Sequence, residues 1–166
     1  MSGEERLMIS LTVNGESVSR LVPVRQHLVD FLRLELGLTG AHLGCEHGVC
    51  GACSLRVDGV LVRGCLMLAV QADGAHVVTI EGLDASGEIA DLQQAFVERN
   101  ALQCGFCTPG MLMTAADLVR AGVPRTRAEI RAHLAGNFCR CTGYQAIVDA
   151  VSATLNKRLS EGGGHV

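Results

Sequence analysis

Eight cysteines fall into two sets of four, and their spacing constrains the fold of this chain more than any other feature. The first set is Cys45-Glu-His-Gly-Val-Cys50-Gly-Ala-Cys53, with Cys65 after eleven intervening residues. C-x4-C-x2-C followed by a distant fourth cysteine is a ligand spacing for a [2Fe–2S] cluster. Two irons bridged by two sulfides need four soft, anionic ligands, and thiolate sulfur suits iron. A ligand loop must also wrap closely around its cluster. Gly44, Gly48, Gly51 and Ala52, interleaved with the cysteines, let backbone N–H groups approach the sulfurs.

The second set pairs a C-x2-C at Cys104 and Cys107 with a C-x-C at Cys139 and Cys141. Such tight spacings make poor disulfide staples, and in a reducing compartment this many cysteines points to metal. On spacing alone the second set admits either another iron–sulfur cluster or an all-cysteine structural zinc site. Zinc, however, usually takes C-x2-C knuckles on both sides.

The rest of the composition narrows the function. The chain has 166 residues, enough for one medium domain or two of roughly 80 residues each. With 19% charged residues, a net charge of −3 and no basic run, it has no footprint for nucleic acid. Aromatics are only 3% and Trp is absent, which removes the stacking platforms of single-strand binders. No stretch approaches the roughly 18 apolar residues of a membrane span. The acidic start Met1-Ser-Gly-Glu-Glu-Arg6 is not followed by a signal-peptide core, so a cytoplasmic location is expected.

The first half reads as strand-rich. Leu7, Ile9, Leu11 and Val13 alternate with Met8, Ser10 and Thr12. Asn14-Gly15 then predicts a type I′ turn, and Glu16–Leu21 a return strand. Val24 to Leu36 predicts a helix with Leu28, Phe31, Leu32 and Leu36 on one stripe, ended by Gly37. Beyond the three-cysteine loop, Ser54–Val57 and Val60–Val62 predict a hairpin about Asp58-Gly59, and His76–Ile80 a last strand. This order is similar to the β-grasp fold of plant-type ferredoxins. Cys65 follows a strand, so metal binding should be coupled to folding. Glu81-Gly-Leu-Asp-Ala-Ser-Gly87 reads as a polar linker, which gives domains 1–82 and 83–166. The tail Gly162-Gly-Gly-His-Val166 reads as disordered.

The second half reads as four helices. The first spans Ile89 to Leu102. Thr108 predicts the N-cap of the second, with Pro109 at its first position, running to about Arg120. Thr126-Arg-Ala-Glu129 is a capping box for the third, ending near Gly136, and Thr142-Gly-Tyr-Gln145 one for the fourth, through Leu155. C-x2-C then lies between the first two helices and C-x-C between the last two. In an antiparallel four-helix bundle the two loops meet at one end.

The motifs GCEHGVCGAC at 44–53, Cys65, QCGFCTPGM at 103–111 and GNFCRCTGY at 136–144 resemble those of one family. It is the small iron–sulfur subunit of the molybdenum hydroxylases, the family of xanthine dehydrogenase, aldehyde oxidase and carbon monoxide dehydrogenase. The likeness covers about residues 5 to 160. It implies an α+β chain, a β-grasp plant-type ferredoxin domain followed by an all-α four-helix-bundle [2Fe–2S] domain. It implies one cluster on Cys45, Cys50, Cys53 and Cys65, and the other on Cys104, Cys107, Cys139 and Cys141, with zinc then remote. It also implies that Gln103 and Cys141 contact a molybdopterin in a large subunit, and that FAD sits in a medium subunit of a heterotrimer or a dimer of heterotrimers. By the same resemblance this chain has no catalytic residue. It passes electrons from molybdenum to FAD while a partner hydroxylates an N-heterocycle, aldehyde, purine or carbon monoxide. The rival reading is a free-standing two-cluster ferredoxin.

Other residues carry less. Cys45-Glu-His47 is half of a Rieske pattern, but its C-x2-H half is missing, so His47 reads as a loop residue able to hydrogen-bond to a cluster. Arg140 reads as a charge offset, an interface residue or a solvated arginine, and Tyr144 as packing with a satisfied hydroxyl. His27, His42, His76 and His133 have no ligand spacing, and Met111 and Met113 read as core. No G-x-G-x-x-G or P-loop is present, so no nucleotide site is expected in this chain.

Overall fold

The computed structural model describes residues 5–162. The tail at 162–166 lies outside them except for its first residue. The chain is mixed α/β, with a small sheet followed by several helices. β1 (Arg6–Val13) and β2 (Glu16–Pro23) form an antiparallel hairpin in register from Arg6↔Pro23 to Val13↔Glu16. Its turn residues Asn14 and Gly15 have φ of 51° and 88°, the left-handed pair of a type I′ turn. β3 (Ser54–Val57) and β4 (Val60–Arg63) repeat the device through Asp58 and Gly59, at 48° and 82°. With β5 (His76–Val78) the sheet order is β2-β1-β5-β3-β4, and β1 runs parallel to β5.

One face of the sheet is apolar because alternate residues of each strand point the same way. Ile9, Leu11, Val13, Leu55, Val57 and Val77 pack against Leu28, Phe31 and Leu32. Each such burial contributes about 1.5–3 kcal/mol. Leu7, expected on this face, is exposed at the hairpin's open end.

The first helix is shorter than its periodicity predicts. It is α1 (Leu28–Asp30), continued by a wide π turn at Phe31–Glu35. Residues 24–27 are drawn into other pairings. Val24 N–H bonds to the Glu5 carbonyl, and His27 bridges to Leu68. β5 likewise stops at Val78, because Thr79 N–H goes to Asn14 Oδ1 at 2.9 Å rather than to the ladder.

Most of the segment read as a polar linker is helical. α2 (Ile80–Ala85) buries Leu83 among the helices that follow, and Glu81 accepts a hydrogen bond from Gly40 N at 2.7 Å. Of its polar side chains, Glu81 reaches back to the first half, while Asp84 accepts from Gln93 and Ser86 bonds Leu83 and Glu88 nearby.

α3 (Ala90–Glu98), α4 (Thr108–Arg120), α5 (Arg127–Leu134) and α6 (Gln145–Gly162) complete the chain. Leu92, Phe96, Ile130, Leu134, Ile147, Val151 and Leu155 build a second core around α4. α4 is buried all round from Gly110 to Ala116, because β3 covers one side and helices the other. The predicted capping box of α5 is present. Thr126 N donates to Glu129 Oε2 at 2.7 Å, and Glu129 N to Thr126 Oγ1 at 3.3 Å. No helix among the described residues is long and apolar enough to cross a membrane.

Arg158 of α6 holds Asp91 of α3 in a two-pronged pair at 2.5 and 2.7 Å and also donates to the Glu88 carbonyl. That guanidinium keeps the Asp91 carboxyl below the usual carboxylate range. Asp91→Asn should therefore cost about 1 kcal/mol at pH 7 by thermal or urea unfolding. The pair's contribution is complete above about pH 4 and fades as pH falls through the lowered folded value. The gap between variant and parent should close in that acid range, and a gap that persists there contradicts the assignment.

Candidate metal centres

Cys45, Cys50 and Cys53 lie on the irregular segment between the π turn and β3, and Cys65 lies just beyond β4. None of the eight cysteines is in a disulfide. The loop reverses at Glu46, Gly48 and Gly51, all with positive φ. Those reversals aim N–H groups inward. Cys50 N–H points at Cys45 Sγ at 3.3 Å. Together with the His47 and Val49 N–H groups it brings the Cys45 thiol down to about 6. Cys53 and Cys65 sit deep, each 2% exposed. Burial is the main reason the Cys53 thiol is pushed up to about 11, with the Cys65 thiol hydrogen-bonded beside it. His47 differs from expectation. Its ring Nδ1 meets the Cys45 carbonyl, and only its backbone N–H acts on the sulfur.

The second set gathers where α3 hands over to α4 and α5 to α6. Burial pushes the Cys107 thiol up to about 12, with Cys139 hydrogen-bonded to it. Burial would also raise Cys139. The Thr142 hydroxyl at 3.1 Å and the Thr142 and Cys141 N–H groups outweigh it and hold that thiol low. Cys141 is raised, mainly by its hydrogen bond with Cys104. Two capping predictions shift here. Cys107 itself takes the N-cap position of α4, so Thr108 and Pro109 lie within the first turn. Thr142 does not cap α6 through a box. Its oxygen accepts from Tyr144 N and its hydroxyl serves Cys139, while Gln145 pairs with Arg131. The Tyr144 hydroxyl is satisfied, as expected, and its partner is the Cys139 N–H at 2.8 Å.

Within each set the thiols act on one another, most strongly Cys50 on Cys45, Cys65 beside Cys53, Cys104 on Cys141 and Cys139 beside Cys107, with weaker effects of Cys50 on Cys53, Cys104 on Cys107 and Cys139 on Cys141. A tetrahedral zinc site needs four thiolates about one point, whereas a binuclear cluster takes two thiolates on each iron. The donor sets fit the cluster.

Several contacts between the two loops were not singled out from sequence. Phe138 N donates to the Cys50 carbonyl at 2.8 Å. Asn137, 2% exposed, donates to the Gly51 carbonyl at 3.1 Å. His42, expected to be structural or exposed, stacks on Phe106 at 4.8 Å and bonds the Phe106 carbonyl. Asn137 and Phe106 lie inside the cysteine motifs, but nothing in a motif says which half of the chain its non-ligand residues will touch. Gln103, Arg140 and Cys141 are exposed.

Two family models match the chain. A 2Fe-2S iron-sulfur cluster binding domain matches residues 11–75, and a [2Fe-2S] binding domain matches residues 79–152. The chain is 54% identical to the caffeine dehydrogenase subunit gamma of Pseudomonas sp. (strain CBB1), over 88% of this chain and 89% of that one. It is 50% identical to the nicotine 6-hydroxylase small subunit of Paenarthrobacter nicotinovorans, over 90% of each. Among solved structures it is similar to quinoline 2-oxidoreductase from Pseudomonas putida 86. The TM-score is 0.86 and the identity 45%, over 95% of this chain and 98% of that one.

Gly110 of α4 lies against the first loop so closely that a Cβ there would meet the Gly51 carbonyl oxygen at 2.3 Å and the Ala52 Cα at 3.1 Å. Both are backbone atoms and cannot swing aside. Gly110→Ala should destabilise the protein by about 1–3 kcal/mol and lower its iron content. Thermal melting with iron analysis measures both. An unchanged melting temperature would mean the two halves are not held this tightly.

Proposed function

Because this chain belongs to the small iron–sulfur subunits of the molybdenum hydroxylase family, we propose that it serves a complex that oxidises an N-heterocycle. The support is the chemistry of the relatives' names: caffeine, nicotine and quinoline are all N-heterocycles. The chain's own part is electron transfer between larger partner subunits, as a non-catalytic component of an oxidoreductase. Each [2Fe–2S] cluster, when bound, carries one electron at a time.

The residues assigned to the first cluster are Cys45 and Cys50 on one iron, and Cys53 and Cys65 on the other. For the second they are Cys104 with Cys141, and Cys107 with Cys139. The matches to two [2Fe-2S] domains, over residues 11–75 and 79–152, support four cysteines for each cluster, and the pairing within each set follows the strongest mutual effects of the thiols. We assign residues 1–82 to a β-grasp ferredoxin-like domain and 83–166 to a four-helix-bundle domain. Gln103 and Cys141 are proposed to face the molybdopterin of a large subunit, which their exposure beside Cys104 permits. FAD is placed in a medium subunit, the assembly is a heterotrimer or a dimer of heterotrimers, and its location is cytoplasmic.

Exposed apolar side chains support burial against partners. Val49, Leu66, Phe106 and Phe138, each 47–62% exposed, stand beside Cys50, Cys65, Cys107 and Cys139. Apolar surface concentrated at the metal loops suits permanent interfaces better than brief docking.

The test is to tag this chain in its native host and purify it under mild conditions. Co-elution of a molybdenum-containing and a flavin-containing subunit is expected, with anaerobic bleaching of the visible absorbance by an N-heterocycle. A chain that elutes alone with its clusters would be a free ferredoxin. A complex bleached only by aldehydes would overturn the substrate class.

A further inference from the structure

The two ligand loops come from opposite halves of the chain, and a buried amide is among the contacts that tie them together. Asn137 precedes Cys139 by two residues, and its side chain is enclosed between α4 and the first loop. Its Nδ2 donates to the Gly51 carbonyl at 3.1 Å, between Cys50 and Cys53. Its Oδ1 accepts from Thr114 Oγ1 at 2.9 Å and faces Arg63 Nη2 at 3.5 Å. Arg63 ends β4, two residues before Cys65. It clamps the joint from outside, donating to the Gly136 carbonyl at 2.8 Å and to Ser54 Oγ. The Ser54 hydroxyl in turn donates to the same Gly51 carbonyl. Directly beside this network runs the Phe138 N–H···O=C Cys50 bond, which joins a residue next to Cys139 to Cys50 itself.

We propose that Asn137, clamped by Arg63, is a positioning residue that sets the distance between the two cluster-binding loops and so the rate of electron passage between them. The proposal rests on the two-cluster reading above. Three features of the site support it. The amide is oriented by Gly51, which offers only an acceptor, and by Arg63, which offers only donors, while the Thr114 hydroxyl lies between Asn137 Oδ1 at 2.9 Å and the Gly110 carbonyl at 3.0 Å. A buried amide whose partners are all fixed cannot shift without leaving one of them unsatisfied. And Gly110 presses on the same loop, where a Cβ on it would meet the Gly51 carbonyl oxygen at 2.3 Å. Electron tunnelling falls steeply with distance, so the fixed separation of the loops matters even though Asn137 touches no ligand sulfur. Asn137 therefore acts on the spacing of two sites and not on the make-up of either.

The test uses the assembled complex with Asn137→Ala and, separately, Arg63→Met. Four readings are taken: iron per chain, the g-values of each reduced cluster, the low-temperature EPR splitting between the two reduced clusters, and the rate at which an electron given to one cluster reaches the other. Full iron and unchanged g-values, with weakened splitting and slower transfer, are expected for Asn137→Ala. Arg63→Met should move in the same direction by less. Substrate-dependent turnover should fall while KM holds. If Asn137→Ala assembles short of iron, Arg63→Met carries the test, because it leaves the bond from Asn137 to Gly51 in place. An iron-replete variant of either kind with parental splitting and transfer rate overturns the proposal. Parent protein lacking iron would overturn the functional reading instead.

Discussion

Two adjacent carbonyls, those of Cys50 and Gly51, take hydrogen bonds from the helical half of the chain, Phe138 N–H at 2.8 Å and Asn137 Nδ2 at 3.1 Å. These bonds reach into the middle of the first ligand loop from the residues just before Cys139. Around them α4 is pressed against β3, Arg56 of β3 pairs with Glu88 at 3.3 Å, and Arg63 holds Gly136. Each half has its own apolar core, Leu61 and Val78 of the sheet pack against the helical one, and polar and backbone bonds cross the joint beside them. Apolar packing alone would allow the halves to slide. Directional bonds to particular carbonyls hold one arrangement, which is what two sites that exchange electrons require.

The thiols are tuned unevenly within each set. N–H groups aimed by left-handed loop residues bring Cys45 down to about 6, while burial lifts Cys53 to about 11 and Cys107 to about 12. A thiolate is the ligand, so metal binding must remove protons from deep thiols that resist losing them. The cost falls on Cys53 and Cys107, whose surroundings are supplied by the sheet and the helices. Metal loading is therefore expected to be coupled to tertiary structure in this chain.

Much of this was legible in the sequence, for reasons that can be named. Asn14-Gly15 and Asp58-Gly59 carry the left-handed preference of their turns in their own side chains, and both hairpins follow. Thr126 and Glu129 satisfy each other's backbone within four residues, so their capping box needs no distant partner. The eight ligand-type cysteines stand out because metal coordination fixes residue type and spacing together. What local reasoning missed was decided by remote contacts. The start of α1 is displaced by pairing with Glu5 and Leu68. The supposed linker becomes α2 because Leu83 finds the helical core and Glu81 finds Gly40. Thr142 leaves its capping role for the sulfur of Cys139. Asn137 reads as an ordinary polar residue until Gly51, 86 positions away, is brought against it.

The central claim is that both thiol sets are built for binuclear iron–sulfur clusters. Its most direct test is an inventory of iron, acid-labile sulfide and zinc per copy of this chain in the complex from its native host, taken with EPR of the dithionite-reduced sample. Four irons, four sulfides, no zinc and two distinct S = 1/2 signals are the predicted result, two irons for each of the two [2Fe–2S] domains. Two irons with one zinc and a single signal would contradict it, and would make the helical half a structural site with no part in electron transfer.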